Sequence, residues 1–313
     1  MARFPEPADN YPVVYLKDTD KDLPKSVGTV NNLRYAYFKT IARGGKCLIQ
    51  TCKDLHLGRV IVYKSLLPEI EDDKYEQQRF LREARVTSML QHPNTIPVYE
   101  LGRNSKGHYY FTMKLVHGTT LREILDGLRE RDEATYSKWG DLERQMDLFI
   151  QVCQVLDYSH NHGVVHRDVK PENILAGPHG EVLLLDWGLA KVWGMEKEEV
   201  PKMSMVDKID PTLTAQGPLQ ATPLYMSPEQ VAESDEIDHR TDIYSLGAVL
   251  FEILTLEHMA WGETLDEMLV NTQYQRPPNP SLVTPARNIP MALETICLRC
   301  VAKDPDHRIQ TVR

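Results

Sequence analysis

The chain has 313 residues, of which 42% are hydrophobic and 26% are charged, and its formal net charge is −9. This length and composition are ordinary for a globular protein with a sizeable core, built as one large domain or two smaller ones. The acidic balance argues against nucleic acid or an anionic membrane surface as the main partner.

The first third of the chain reads as strands with one helix. Residues 1–33 hold four prolines among scattered charges and predict an irregular extension. Strands are predicted where β-type runs occur, at 35–38, 47–49, 60–63, 96–99 and 109–113. A helix is predicted over 74–90, because Phe80, Val86 and Leu90 recur at helical spacing. The pattern indicates a small, mostly antiparallel sheet accompanied by one helix.

The rest of the chain is mostly helical. Amphipathic helices are predicted over 121–128 and 145–160, and an apolar strand over 182–185. A further helix over 241–254 is apolar nearly all round. Such a helix belongs in the centre of a larger lobe, because it has no face to present to water.

A carboxylate lies on the apolar stripe of the first helix. Glu83 shares that stripe, where an unpaired carboxylate would be costly. Lys64, at the end of the third predicted strand, is a natural partner from the neighbouring sheet. The alternative is that Glu83 lies on a solvated helix face and pairs with Arg79, four residues earlier.

Two polar segments in the second part of the chain carry residues suited to chemistry. Residues 166–173 read HRDVKPEN, which places Asn173 five positions after Asp168. A carboxylate can accept a hydroxyl proton, and an amide oxygen can hold a metal ion. The apolar strand over 182–185 then leads into Asp186 and the dipeptide Trp187-Gly188. Taken alone, the first segment could be a polar loop and the second a turn.

Together, these segments resemble the eukaryotic-type Ser/Thr protein kinase family, and in particular its bacterial branch. The similarity extends from about Tyr35 to Arg308. It implies an α+β, two-lobed protein kinase fold with a small, mostly antiparallel β N-lobe carrying one helix and a larger α-helical C-lobe. The implied organisation is an N-terminal extension at 1–33, an N-lobe and hinge at 34–116 and a C-lobe at 117–313.

Further residues follow the order of the family along the chain. The Ser-Pro-Glu tripeptide at 227–229 matches the A-P-E element, and Arg308 matches the late arginine that pairs with its glutamate. Asp242 matches the buried aspartate that anchors the backbone of the catalytic loop. Lys170 and Thr222 are typical of Ser/Thr kinases rather than tyrosine kinases.

The resemblance also implies roles for individual residues. The catalytic residues that it implies are Asp168, Lys170, Lys64, Glu83 and Thr222. The implied metal ligands are Asn173 and Asp186. The implied ATP-binding residues are Ile41, Ala42, Arg43, Gly44, Gly45, Lys46, Cys47, Leu48, Ile49, Val62, Lys64, Met113, Lys114, Val116 and Leu175. The implied cofactors are ATP and Mg²⁺, with Mn²⁺ as the alternative metal, and the implied partner is a protein substrate.

The glycine-rich loop departs from the family pattern. The pattern G-x-G-x-x-G aligns with residues 42–47, so that Ala42 and Cys47 replace its first and third glycines. Glycine lets the backbone approach the phosphates closely. Val62 replaces the usual alanine in the strand that ends at Lys64. We therefore expect weaker ATP binding than in a relative with all three glycines, with the chemistry retained.

The implied activation segment, residues 186–229, spans 44 residues and is longer than is usual in the family. Its candidate hydroxyl groups are those of Ser204, Thr212, Thr214 and Ser227. Our hypothesis is that autophosphorylation at Thr212 or Thr214 orders the segment through Arg167. The alternative is an insert without a regulatory role.

The resemblance thus predicts an enzyme that transfers the ATP γ-phosphoryl group to Ser or Thr hydroxyls of proteins. One alternative is a pseudokinase that acts as a regulated nucleotide- or protein-binding module, in view of the altered loop and the Trp187 replacement. Another is a small-molecule kinase on the same fold, although the tripeptide at 227–229 and Thr222 favour a protein substrate.

The five cysteines and the chain ends bear on location. An odd cysteine count without a secretory segment indicates a reducing compartment, so we expect a cytoplasmic protein. No apolar run is long enough to cross a membrane, although a membrane anchor beyond Arg313 is left open. A homodimer is also left open. Cys297 and Cys300 form a lone C-x-x-C in an apolar helical stretch, which favours two buried small residues over a zinc site.

Overall fold

The computed structural model describes residues 34–192, 222–234, 236–260, 262 and 264–313, without the side chain of Thr222. The predicted extension at 1–33 and the hydroxyls of Ser204, Thr212 and Thr214 lie outside these residues. The described residues divide into two compact units, the first formed by 34–77 with 98–115 and the second by 78–97 with the described residues from 116 onward. The lobe boundaries taken from the resemblance stay predictions.

An antiparallel five-stranded sheet forms the body of the first unit, in the order β1-β2-β3-β5-β4. Its strands are β1 (Tyr35–Arg43), β2 (Cys47–Asp54), β3 (Arg59–Leu66), β4 (Val98–Arg103) and β5 (Tyr109–Met113). The predicted antiparallel sheet is confirmed. The strand predicted at 96–99 begins only at Val98, because Pro97 has no N–H to donate to a strand ladder.

One face of this sheet carries a small aromatic core. Tyr35 and Tyr63 are buried together with Cys52 and Ile61. The ring of Tyr110 stacks on that of Tyr63 with the ring centroids 4.5 Å apart. Because successive side chains of a strand alternate between faces, this core leaves Lys64, the neighbour of Tyr63, on the opposite face.

The predicted first helix is α1 (Lys74–Met89). It begins after Asp73, whose carboxylate accepts the backbone N–H groups of Tyr75 and Glu76 at 2.8 and 3.1 Å. Such a bond satisfies donors that have no partner inside the first turn of a helix. Phe80 and Val86 of the predicted apolar stripe are buried. The helix and its stripe are confirmed.

Helices form most of the second unit. Besides residues 78–89 of α1, they are α2 (Leu121–Arg129), α3 (Glu133–Trp139), α4 (Leu142–Asn161), α5 (Pro228–Val231), α6 (Arg240–Thr255), α7 (Leu265–Tyr274), α8 (Pro280–Val283) and α9 (Met291–Cys300). Short strands lie between α2 and α5, namely β7 (Val164–Val165), β8 (Ile174–Ala176), β9 (Val182–Leu184) and β10 (Lys191–Val192), and β6 (Thr119–Thr120) precedes α2. In the described part of the chain, no helix is both long and apolar enough to cross a membrane.

Helix α6 lies at the centre of the second unit, as its apolar sequence predicts. Its residues from Thr241 to Thr255 are all buried. Helix α9 packs closely against it at Gly247, where an added Cβ would lie 2.6 Å from the Cβ of Cys300. Cys297 is also buried, and its thiol donates to the Gly247 carbonyl at 3.4 Å. The interpretation of this pair as two buried small residues is confirmed.

Candidate active site

The segment between β7 and β8 is held by one buried carboxylate from α6. Asp242 accepts the backbone N–H of His166 at 2.8 Å and that of Arg167 at 2.7 Å. A third bond joins it to the imidazole of His160 at 2.8 Å. Burial alone would raise the pKa of Asp242, but the bonds with His160 and the backbone hold it below its usual range. The prediction that Asp242 anchors this loop is confirmed.

Arg167 turns the chain sharply inside that loop. Its φ is +67°, in the left-handed region that costs non-glycine residues free energy. The bond from its N–H to Asp242 and a bond from the Gln230 side chain to its carbonyl, at 2.8 Å, fix this conformation. Its guanidinium donates to the Leu189 carbonyl at 2.6 Å, just beyond the Asp-Trp-Gly tripeptide. The loop is therefore constrained by the neighbouring helices.

Three predicted site residues meet after this turn. The Lys170 ammonium lies 2.9 Å from Oδ2 of Asp168. The Asn173 amide nitrogen donates to the same oxygen at 3.1 Å and to the Asp168 carbonyl at 2.8 Å. A cation and an amide thus hold the Asp168 carboxylate in one orientation.

The environment of Asp168 also acts on its protonation. Burial raises the pKa of the Asp168 carboxyl above its usual value, and the charge of nearby Asp186 acts in the same direction. The Lys170 ammonium partly opposes both effects. A buried carboxylate of raised pKa is a stronger proton acceptor than a solvated one, which suits general-base chemistry.

The Asp-Trp-Gly tripeptide is fixed by its tryptophan. Trp187 is 1% exposed, and its ring meets that of His166 edge to face with the centroids 4.5 Å apart. Its indole N–H donates to the Leu184 carbonyl at 3.3 Å. The prediction that tryptophan supplies the apolar body of this element is confirmed. On its other side, Gly188 lies beside Glu83, whose Oε2 is 3.8 Å from where a Cβ of that glycine would stand.

Asn173 and Asp186 fit a divalent cation. Both side chains offer oxygen atoms, the ligand type that Mg²⁺ prefers. The amide nitrogen of Asn173 is engaged with Asp168, so its amide oxygen is the atom left to meet a cation. Leu185, the residue before Asp186, donates its N–H to the Asn173 carbonyl at 2.7 Å. This bond keeps the two candidate ligands, Asn173 and Asp186, close together.

In the first unit, one face of the sheet gathers several of the implied nucleotide-binding residues. Lys64 lies opposite Ile49 on β2 and Phe111 on β5, and Val62 lies opposite Met113. Directly paired residues share a face, as do residues two apart. Ile49, Val62, Lys64 and Met113 therefore share one face, whereas Leu48, the neighbour of Ile49, points to the other.

The other predicted site residues are distributed as follows. Ile41 is half exposed on β1, and Lys114 is exposed directly after β5. Leu175 lies on β8 in the second unit, paired with Thr120 and Leu183. Lys64 and Glu83 belong to different units, so their pairing stays a prediction.

The second unit also contains a charged network that sequence reasoning missed. Arg122 of α2 donates to Glu252 of α6 at 2.7 and 3.0 Å and to Glu172 of the loop at 2.9 Å. Tyr225 donates its hydroxyl to Glu252 and accepts from Arg122. An acidic residue inside the apolar helix α6 was the available signal, because a buried carboxylate requires a partner. The network ties the loop to the segment that precedes α5.

A second buried pair links α5 to the end of the described chain. Two guanidinium nitrogens of Arg308 donate to the two oxygens of Glu229 at 2.6 and 2.7 Å. The predicted pairing of these residues is confirmed. Burial alone would raise the pKa of Glu229, but Arg308 and the Thr241 hydroxyl hold it below its usual range.

These depressed carboxyl pKa values predict acid sensitivity. The unfolded chain takes up protons at the ordinary carboxyl pKa of roughly 3.9–4.3, whereas folded Glu229 and Asp242 stay ionised to lower pH. Their contribution is therefore complete above the ordinary pKa and is lost as the pH falls below it. We expect the urea midpoint to fall steadily between pH 5 and pH 3. A midpoint that stays constant over this range would contradict the expectation.

Comparison with known proteins agrees with this geometry. Residues 35–312 match the protein kinase domain family. The chain is 36% identical over 283 residues to serine/threonine-protein kinase PknD of Protochlamydia amoebophila. The aligned region covers 89% of this chain and 29% of that protein. It is 32% identical over 281 residues to a probable serine/threonine-protein kinase of Streptomyces coelicolor, covering 89% of this chain and 38% of that protein.

The chain spans about a third of the length of these curated relatives. The family match, in contrast, covers nearly all of the chain, from the first strand of the sheet to the residues beyond Arg308. It includes the loop held by Asp242, the Asp-Trp-Gly tripeptide and the buried pair of Glu229 with Arg308. The chain therefore belongs to the protein kinase domain family.

Proposed function

We propose that this chain transfers the γ-phosphoryl group of ATP to serine or threonine hydroxyls of proteins. The observation that carries the proposal is the cluster in which Lys170 and Asn173 hold the buried carboxylate of Asp168. The relatives, which are named as serine/threonine-protein kinases of bacteria, support the choice of a serine or threonine hydroxyl as acceptor.

In this proposal, Asp168 orients the substrate hydroxyl and accepts its proton as the hydroxyl oxygen bonds to the γ-phosphorus. The bond from that phosphorus to the bridging oxygen of ATP breaks, and ADP leaves. The raised pKa of Asp168 favours its acceptance of the proton. The Lys170 ammonium supplies positive charge beside the transferring group. Mg²⁺, bound through Asn173 and Asp186, would neutralise phosphate charge, and Mn²⁺ is the alternative metal.

We further propose that the nucleotide binds on the sheet face of the first unit. Lys64 would meet the α- and β-phosphates, while Ile49, Val62 and Met113 would contact the adenine. Backbone groups of 114–116 would hydrogen-bond the base. The altered loop over residues 42–47 supports the proposal that ATP binds more weakly than in relatives with three glycines.

The experiment that tests the function measures transfer and identifies the acceptor. The chain is incubated with radiolabelled MgATP and a generic protein substrate, and the labelled protein is hydrolysed to its phosphoamino acids. We expect label in phosphoserine and phosphothreonine, because Lys170 and the relatives both point to those hydroxyls.

Two variants serve as controls in that assay. Lys64→Met removes the proposed phosphate contact, and Asp168→Asn removes the proposed base, so both should remove the label. No label above these controls in the unsubstituted chain would contradict the proposal and favour a pseudokinase. Label confined to phosphotyrosine would contradict the acceptor class.

A further inference from the structure

The loop between β1 and β2 contains two cationic side chains within the stretch where the family uses glycines. Arg43 ends β1, and Lys46 immediately precedes β2. The hairpin is closed by a bond from the Gly44 N–H to the Cys47 carbonyl at 3.0 Å. Both cations form ion pairs with carboxylates that follow β3.

Lys46 is held at two points. Its backbone carbonyl accepts the N–H of Leu67 at 3.0 Å, just after β3. Its ammonium lies 2.6 Å from Oε1 of Glu76, in the first turn of α1. All three residues belong to the first unit. The loop is therefore joined to the beginning of the helix through a side chain as well as the backbone.

The two ion pairs of the loop differ in their surroundings. Arg43 and Glu69 are 2.8 Å apart, but their side chains are 61% and 62% exposed, and such surface pairs contribute little. The side chain of Glu76 is only 10% exposed, against 43% for Lys46. A carboxylate with little access to water interacts more strongly with a cation at 2.6 Å, because solvent screens the pair less. The pair of Lys46 with Glu76 is therefore the stronger constraint.

We infer that Lys46 is a positioning residue, whose ion pair with Glu76 fixes the loop against the first turn of α1 in the conformation that receives the phosphates of ATP. The inference rests on the proposed function. A loop that is already ordered loses less conformational entropy when the nucleotide binds. Because Glu76 lies in the first turn of α1, the same pair also couples the loop to that helix.

A rival interpretation is that Lys46 binds the phosphates itself and that Glu76 competes for it. The two interpretations predict opposite effects of removing the charge of Glu76. If the pair positions the loop, Glu76→Gln weakens nucleotide binding as Lys46→Met does. If Glu76 competes, Glu76→Gln releases Lys46 and tightens binding.

The test is a double-mutant cycle on the KM for ATP, on kcat and on calorimetric binding of MgATP. We expect Lys46→Met and Glu76→Gln each to raise the KM and the dissociation constant about three- to ten-fold, and the double variant to do no more than either single one. We expect kcat to change less than two-fold. Lys46→Arg should stay within about two-fold of the unsubstituted chain, because the cation is kept.

Lys53→Met, an exposed lysine on β2, is the matched control and should leave all three quantities unchanged. Tighter binding by Glu76→Gln, strictly additive effects, or single variants without effect would each overturn the inference. Absence of transfer in the unsubstituted chain would contradict the proposed function alone, since calorimetry measures the coupling without catalysis. Melting temperatures identify variants that fail to fold. If Lys46→Met is one of them, the direction of the change in Glu76→Gln, which keeps the shape of the side chain, decides between the two interpretations.

Discussion

Replacing Asp168 with asparagine should lower the rate of phosphoryl transfer by about 10²–10⁴-fold, the usual contribution of a general base. Asparagine has nearly the same shape as aspartate and keeps a side-chain oxygen that can accept a hydrogen bond. In the unsubstituted chain, the Asn173 amide donates to the Asp168 carboxylate at 3.1 Å, and this bond can be kept. Asparagine cannot accept the substrate proton, and it removes the negative charge that faces Lys170 at 2.9 Å. The chemical step should therefore fail while the loop stays in place, because Asp242 still holds its backbone.

The rate is best measured in a single turnover with saturating MgATP and a protein substrate, so that product release does not mask the chemical step. Asp147→Asn is the matched control, because Asp147 is an exposed aspartate on α4, and we expect an unchanged rate. MgATP binding should change little in the Asp168→Asn variant. A loss smaller than ten-fold would mean that Asp168 is not the base.

Replacing Arg308 with methionine should lower the free energy of unfolding by about 3–5 kcal/mol, as expected when one partner of a buried ion pair is removed. The Arg308 side chain is 0% exposed and donates two bonds to Glu229. It also donates to the carbonyls of Ala302, Lys303 and Arg240 at 2.8 to 3.0 Å. Methionine fills part of the volume but leaves the carboxylate and these carbonyls without their donor.

Urea unfolding at pH 7 measures this effect. Arg299→Met is the control, because Arg299 is exposed on α9, and its unfolding free energy should change by less than about 0.5 kcal/mol. Adding Glu229→Gln to the Arg308→Met variant should restore part of the loss, since it removes the unpaired charge. Equal unfolding free energies for Arg308→Met and the unsubstituted chain would show that the pair does not stabilise the second unit.

Much of the fold could be predicted from local sequence pattern. Helix α6 and the buried stripe of α1 were both predicted from apolar spacing, which depends only on residues within a few turns. Strand β5 was predicted with its observed limits at Tyr109 and Met113. The strand predicted at 96–99 instead begins at Val98, because Pro97 has no N–H to donate, and the apolar pattern does not contain this information.

The candidate site could be predicted in part for a different reason. The order and spacing of the residues from His166 to Asn173 are local, and so is the Asp-Trp-Gly tripeptide. The pairing of Glu229 with Arg308 and the anchoring by Asp242 came from the resemblance, since nothing local relates residues 79 or 75 positions apart. The network of Arg122 with Glu252 was missed because its members lie 130 positions apart.

The sequence by itself determined the family, the candidate site residues of the loop from His166 to Asn173, and the helices that bury an apolar side. It could do so because the order and spacing of residues along the chain carry that information. Apart from the predicted pair of Glu229 with Arg308, only the tertiary structure decided which charged and polar side chains meet. It placed Lys170 and Asn173 on Asp168, Arg122 on Glu252, and Lys46 on Glu76. Whether a charged group lies in water or against a partner depends on how the folded backbone orients each loop and brings distant segments together. This difference affects both the pKa of the group and its contribution to stability.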